Sequence, residues 1–163
     1  APLPEVSLET VTSTGKPLIV LDQVTDPRNI GAIIRAATVF GAGGLVMTRH
    51  NSPASGGALA KTASGALEKM PLIRVANLAR CLESLSEAGY LTCGLDEEGA
   101  QWLGDIPRDR PIACVMGAEG KGLRRLTKEN CAQLVRLTAS NASSFATLNV
   151  ATATAVALYE IIR

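Results

Sequence analysis

Leu18-Ile19-Val20-Leu21-Asp22-Gln23-Val24-Thr25-Asp26-Pro27-Arg28-Asn29-Ile30-Gly31-Ala32-Ile33-Ile34-Arg35-Ala36-Ala37 decides the fold class. Its first four residues are a short apolar run of the size of a buried strand. Asp26-Pro27 reads as a helix start: a carboxylate at the N-cap, then proline where a missing N–H costs nothing. Ile30, Ile33, Ile34 and Ala37 then fall at i, i+3, i+4 and i+7, one apolar helical stripe. Gly41 and Gly43-Gly44 end the helix, and Leu45-Val46-Met47 reads as the next strand. Strand, helix and strand within about thirty residues form the unit from which parallel sheets are built.

The alternation continues outward. Residues 58–67 read as a helix and 72–75 as a strand. Asn77 is an N-cap for a helix through Glu87, stopped by Gly89. Residues 90–95 and 112–116 read as strands, 126–131 as a short helix, 134–137 as a strand and 148–162 as a long final helix. The expectation is one α/β domain over 17–163, with a mostly parallel sheet flanked by helices. Residues 1–16 carry Pro2, Pro4, Gly15 and many hydroxyls with little periodicity, and read as a linker. The final helix has one charge, Glu160, and alanines nearly all round, so it needs cover on two sides.

Composition narrows the function classes. Apolar residues at 47% and charged residues at 19% of 163 suit one folded core and not a disordered chain. A net charge of +1 and few aromatics (Phe40, Phe145, Tyr90, Tyr159 and Trp102) argue against a dedicated RNA-gripping module. Cys81, Cys93, Cys114 and Cys131 show no C-x-x-C spacing and His50 stands alone, so no metal site is expected. No apolar run reaches membrane-spanning length and no signal peptide is visible. With apolar-flanked, reduced thiols, this predicts a cytoplasmic protein that engages no membrane.

Three stretches carry chemistry. Arg28 and Arg35 lie seven apart on one helix side, opposite the isoleucine stripe, with Gly31 and Ala32 between them. They read either as a phosphate-binding patch or as a solvated polar face. Met116-Gly117-Ala118-Glu119-Gly120-Lys121-Gly122-Leu123 follows an apolar strand, so its backbone can approach a ligand closely. It is neither a Walker loop nor G-x-G-x-x-G. Ser143-Ser144-Phe145-Ala146-Thr147-Leu148-Asn149-Val150 opens the final helix, where its polar groups read either as caps or as site residues.

In order and in combination, these stretches resemble the three motifs of the SpoU (TrmH-like) branch of the SPOUT RNA methyltransferases. The resemblance spans residues 17–163. Leu72-Ile73-Arg74-Val75-Ala76-Asn77-Leu78-Ala79-Arg80 is similar to the subfamily that methylates a guanosine ribose in large-subunit ribosomal RNA. The resemblance implies a C-terminal deep trefoil knot, a homodimer held through the final helix, and an N-terminal RNA-binding domain joined through residues 1–16. It implies S-adenosylmethionine as cofactor, held around Gly94, Leu95, Met116, Gly117, Glu119, Gly120, Leu137 and Leu148. Asn29, Arg35, Glu119, Thr147 and Asn149 match the family's active-site positions. Arg35 matches the arginine acting on the ribose hydroxyl, as a base assisted by a substrate phosphate or as a fixed cation. The implied partner is structured RNA, with ribosomal RNA preferred and transfer RNA as the alternative; a non-catalytic knotted RNA-binding domain is the third reading. The third motif departs from the family pattern: Thr147 and Ala151 stand at positions usually serine, and Thr138 at a usual proline.

Overall fold

The first strand is buried from end to end. β1 (Leu18–Asp22) points Ile19 and Leu21 to one face and Leu18 and Val20 to the other, and all are buried. Strands covered on both faces read as continuous apolar runs and belong to parallel sheets. This computed structural model describes residues 6–51, 70–138 and 148–163. The expected helix at 58–67 lies outside the described residues.

α2 (Pro27–Val39) follows β1. Asp26 caps it by accepting from the Arg28 N–H at 2.9 Å, and Ile30, Ile33, Ile34 and Ala37 are all buried, as the stripe predicts. β2 (Gly44–Thr48) begins one residue earlier than expected, because Gly44 extends the backbone ladder. β3 (Leu72–Val75), α3 (Leu78–Glu87) and β4 (Leu91–Leu95) come next. Tyr90, expected to open that strand, stands just before it; its hydroxyl donates to the Lys16 carbonyl at 2.6 Å. β5 (Gln101–Trp102), β6 (Ile112–Gly117), α4 (Arg125–Asn130), β7 (Gln133–Arg136) and α5 (Val150–Ile162) complete the order.

The sheet runs β3-β2-β1-β6-β4-β7-β5 and every strand pair is parallel. β6 enters between the earlier strands β1 and β4, and β7 between β4 and β5. α2 and α5 pack together on one face, over Ile19, Leu21, Leu45 and Met47. α3 covers the other face with Leu78, Cys81, Leu82 and Leu85, against Val20, Val46 and Val115.

Two elements, α1 (Leu8–Thr12) and β5, have no counterpart in the sequence reading. Within the presumed linker, Ser7 caps the short helix α1, whose Val11 is buried beside Leu18. One apolar anchor and a cap order a segment too short to show periodicity. β5 is only two residues long and was not foreseen; it adds to β7 at the sheet's edge. All four cysteines are free thiols. Burial pushes the Cys81 thiol up to about 11 and those of Cys93 and Cys131 up to about 12, which holds them protonated and unreactive near neutrality.

Candidate active site

In a parallel α/β sheet, ligands collect at the carboxyl ends of the strands. Here β1 ends in Asp22, β4 in Leu95 and β6 in Gly117, with Asp22 and Gly117 paired in register. A cavity of about 250 Å³ opens between the ends of β4 and β6 and the start of α5. Its apolar wall includes Leu95, Met116, Leu148 and Val150, and residues 117–123 wrap one side. Asp96, Glu97, Glu98 and Lys128 form a polar rim, with Lys128 Nζ 3.2 Å from Asp96 Oδ2.

The glycine loop folds back on itself. The Gly122 N–H donates to the Ala118 carbonyl at 2.8 Å, and Gly120 and Gly122 turn through φ of +78° and +67°. A Cβ on Gly117 would lie 2.3 Å from the Gly122 carbonyl carbon. Gly117 is therefore required by the loop's own closure, before any ligand is considered. Past the loop, Arg124 reaches back to β1: its Nε donates to Asp22 Oδ1 at 2.7 Å and its backbone N–H to Asp22 Oδ2 at 2.9 Å. Both oxygens of a fully buried carboxylate are thus satisfied, as burial demands.

Three of the expected catalytic residues meet at the cavity's lip. Asn149 Nδ2 donates at 2.9 Å both to Glu119 Oε1 and to Asn29 Oδ1. Glu119 Oε1 also accepts from the Val150 N–H at 3.1 Å, and Asn149 Oδ1 caps α5 by accepting from the Ala151 N–H at 2.8 Å. The residue that caps α5 is therefore also the one that joins Glu119 to Asn29. Arg35 lies exposed on α2, roughly 9 Å along the axis from Asn29 at 1.5 Å per residue.

The family model of the SpoU rRNA Methylase family matches residues 16–159. The chain belongs to this family. It is 42% identical over 160 residues to the 23S rRNA (guanosine-2'-O-)-methyltransferase RlmB of a Burkholderia species, covering 96% of this chain and 64% of that protein. The RlmB of Pseudomonas aeruginosa is 43% identical over 152 residues, covering 93% and 60% respectively. The chain thus spans about three fifths of the length of these relatives. Among solved structures, the SpoU methyltransferase AviRb from Streptomyces viridochromogenes, in complex with AdoMet, superposes with a TM-score of 0.82 at 29% identity, covering 98% of this chain and 62% of that one.

Within this SpoU domain, Leu95, Met116, Gly117, Glu119, Gly120 and Leu148 of the expected cofactor set line the cavity. Gly94 and Leu137 are not among its lining residues. Gly94 lies behind the wall, where a Cβ would meet Leu123, Cys131 and Leu134 within 3.0 Å. Leu137 is buried in the core shared with α2 and α5. Thr147 lies outside the described residues. The Asp22–Arg124 pair and the acidic rim at 96–98 were missed. A carboxylate closing an all-apolar strand was the available signal for the first, since a buried charge must find a partner.

Proposed function

We propose that the chain transfers the methyl group of S-adenosylmethionine to a guanosine ribose 2′-hydroxyl in large-subunit ribosomal RNA. The Asn29–Asn149–Glu119 network at the cavity's lip carries this reading, because it joins side chains of all three motifs at one point. The cavity's donor set suits the cofactor. Carboxylates at Asp96, Glu97, Glu98 and Glu119 outnumber Lys121 and Lys128. That wall favours a ligand bearing sulfonium and ammonium charges over phosphate-bearing NAD or ATP. Leu95, Met116, Leu148 and Val150 offer an apolar surface to adenine.

When bound, the cofactor supplies a methyl group already activated by its sulfonium charge. The protein is left to align the ribose oxygen and to manage its proton. Asn29, Glu119 and Asn149 hold one another in a fixed arrangement, which limits reorganisation at the moment of transfer. Arg35 is assigned to the substrate. A guanidinium is too weakly acidic to serve as a free base, so it steadies the adjoining phosphate and the developing alkoxide. The proton leaves to that phosphate or to water.

The fuller architecture is part of the proposal. A C-terminal trefoil knot fits the insertion of β6 and β7 between strands laid down earlier. An N-terminal RNA-binding domain joined through residues 1–16 would supply the RNA grip that a net charge of +1 does not. Thr147 completes the catalytic set, and backbone groups near Gly94 and Leu137 the cofactor set. The enzyme acts as a homodimer in the cytoplasm.

The test is methyl transfer from labelled S-adenosylmethionine to a 23S ribosomal RNA transcript, with the modified ribose mapped. Arg35→Ala should slow transfer on the order of a hundredfold or more. Cofactor affinity by calorimetry should hold, because Arg35 is exposed and away from the cavity lining. Label on a base, tighter binding of NAD or ATP, or wild-type turnover by Arg35→Ala each rejects the assignment.

A further inference from the structure

The stretch Arg74 to Arg80 takes no part in the cavity, yet it gathers charge elsewhere. Arg74 on β3, Asn77 before α3 and Arg80 and Ser84 on α3 line a surface groove together with Arg49, which follows β2. Arg49 and Arg80 are exposed and Arg74 is half-buried. Among the described residues the groove has no carboxylate in its lining. In a chain of net charge +1, three arginines in one groove are a concentration of charge. The cavity described above has the opposite bias, with a wall unsuited to phosphate.

Position adds to chemistry. Val75 pairs with Thr48, so Arg49 and residues 76–77 emerge at the carboxyl ends of β2 and β3. That is the end of the sheet at which β1 also ends and α2 begins. β3 is two strand spacings from β1, roughly 10 Å. α3 and α2 lie on opposite faces of the sheet, so a chain of phosphates that occupies the groove must pass over these carboxyl ends to bring one ribose to Arg35.

We propose that this groove binds the phosphodiester backbone of the RNA substrate, as a docking surface separate from the methyl-transfer site. The proposal rests on the reading of the chain as an RNA methyltransferase. Arginine suits the task because its planar fork pairs bidentately with phosphate oxygens. Contacts of this kind set register and affinity and leave base identity to be read elsewhere.

The test uses the purified protein, a 23S ribosomal RNA transcript and S-adenosylmethionine. The main variant is Arg49→Gln/Arg80→Gln, and a triple variant adds Arg74→Gln. Arg110→Gln is the control, an exposed arginine at the amino end of the parallel strands, just before β6. Retained cofactor affinity checks folding in each variant. The double variant should bind the transcript about tenfold or more weakly at 0.1 M salt, with a log–log salt slope shallower by about 1.4, from about 0.7 per lost contact to a single strand. KM for RNA should rise while kcat at saturating RNA holds, and the control should move neither. An unchanged slope in both groove variants, or an equal loss in Arg110→Gln, overturns the proposal. Lost self-association with an unchanged RNA slope also overturns it, by making the groove a protein contact. Methyl transfer is scored separately: a wild-type protein that binds the transcript through the groove without methylating it upholds the docking surface and rejects the methyl-transfer reading.

Discussion

At the scale of single residues, Asp22 and Arg124 hold the glycine loop against the first strand. The two ends of this pair are unequal: Asp22 is 0% exposed and the Arg124 side chain 49%. Removing the carboxylate frees an arginine that can rehydrate. Removing the arginine strands a buried carboxylate with one backbone donor. Arg124→Met should therefore destabilise more than Asp22→Asn, at about 3 kcal/mol or more against about 1–2. The double substitution should recover part of that loss, since no buried charge remains. Urea titration of the four proteins reads the cycle directly, and equal losses in the two single variants would contradict the asymmetry. Both variants should also weaken cofactor binding more than they slow transfer at saturation, because the loop they tether wraps the cavity and not the ribose. Gly117 belongs to the same mechanism. Its sequence context suggested space left for a ligand, whereas the crowding atoms are the loop's own Gly122 and Leu123.

At the scale of elements, α5 is clamped at both ends by side chains from elsewhere. Glu119 accepts from the Val150 N–H at its start. At its end, Arg108 donates to the Ile161 and Glu160 carbonyls at 3.1 and 2.8 Å, and to the Ile106 carbonyl. These are the orphan groups that every helix leaves at its termini, and the charges have the signs its dipole favours. Glu119→Gln keeps an acceptor but loses the charge, so it should cost about 0.3–1 kcal/mol and little rate. Glu119→Ala also releases Asn149, and transfer should fall on the order of tenfold or more with a modest loss of stability. Thermal melts and single-turnover rates separate these outcomes; equal rates in the two variants would reduce Glu119 to a cap. What was legible at this scale followed signal length. The stripe of α2 and the apolar runs of β1, β2 and β6 carry periodicity over whole elements. α1 and β5 are too short to show a period, and β5 exists because β7 offers it an edge. Asn29, Glu119 and Asn149 were visible as motif positions, but their contact spans 120 residues of chain and depends on a sheet order that local pattern does not encode.

At the scale of the molecule, the two faces of the sheet are finished differently. On the α2/α5 face, α5 buries Val150, Ala153, Ala157, Leu158 and Ile161 inward. Outward it leaves Val156 44%, Tyr159 55% and Ile162 46% exposed, with Val39 of α2 76% exposed. Phe40 and Tyr159 stack edge to face at 6.2 Å, linking the end of α2 to this outer stripe. A helix apolar on its inner and outer sides is expected where a second layer covers it. The proposed homodimer supplies that layer from another copy of the chain. In an isologous pair each residue of the stripe occurs twice across the axis, so one substitution acts twice. Val156→Glu places two carboxylates in an apolar contact without partners, while in the monomer the side chain reaches water. Its dissociation constant should rise on the order of a hundredfold or more, about 2.7 kcal/mol. The melting temperature of the monomeric fold should move little, because Val156 lies outside the buried core. Sedimentation at micromolar concentration, with S-adenosylmethionine present, reads both proteins. A wild-type monomer removes the homodimer from the proposal. A variant that stays dimeric moves the interface off the α5 stripe, and that apolar surface would then need a different partner.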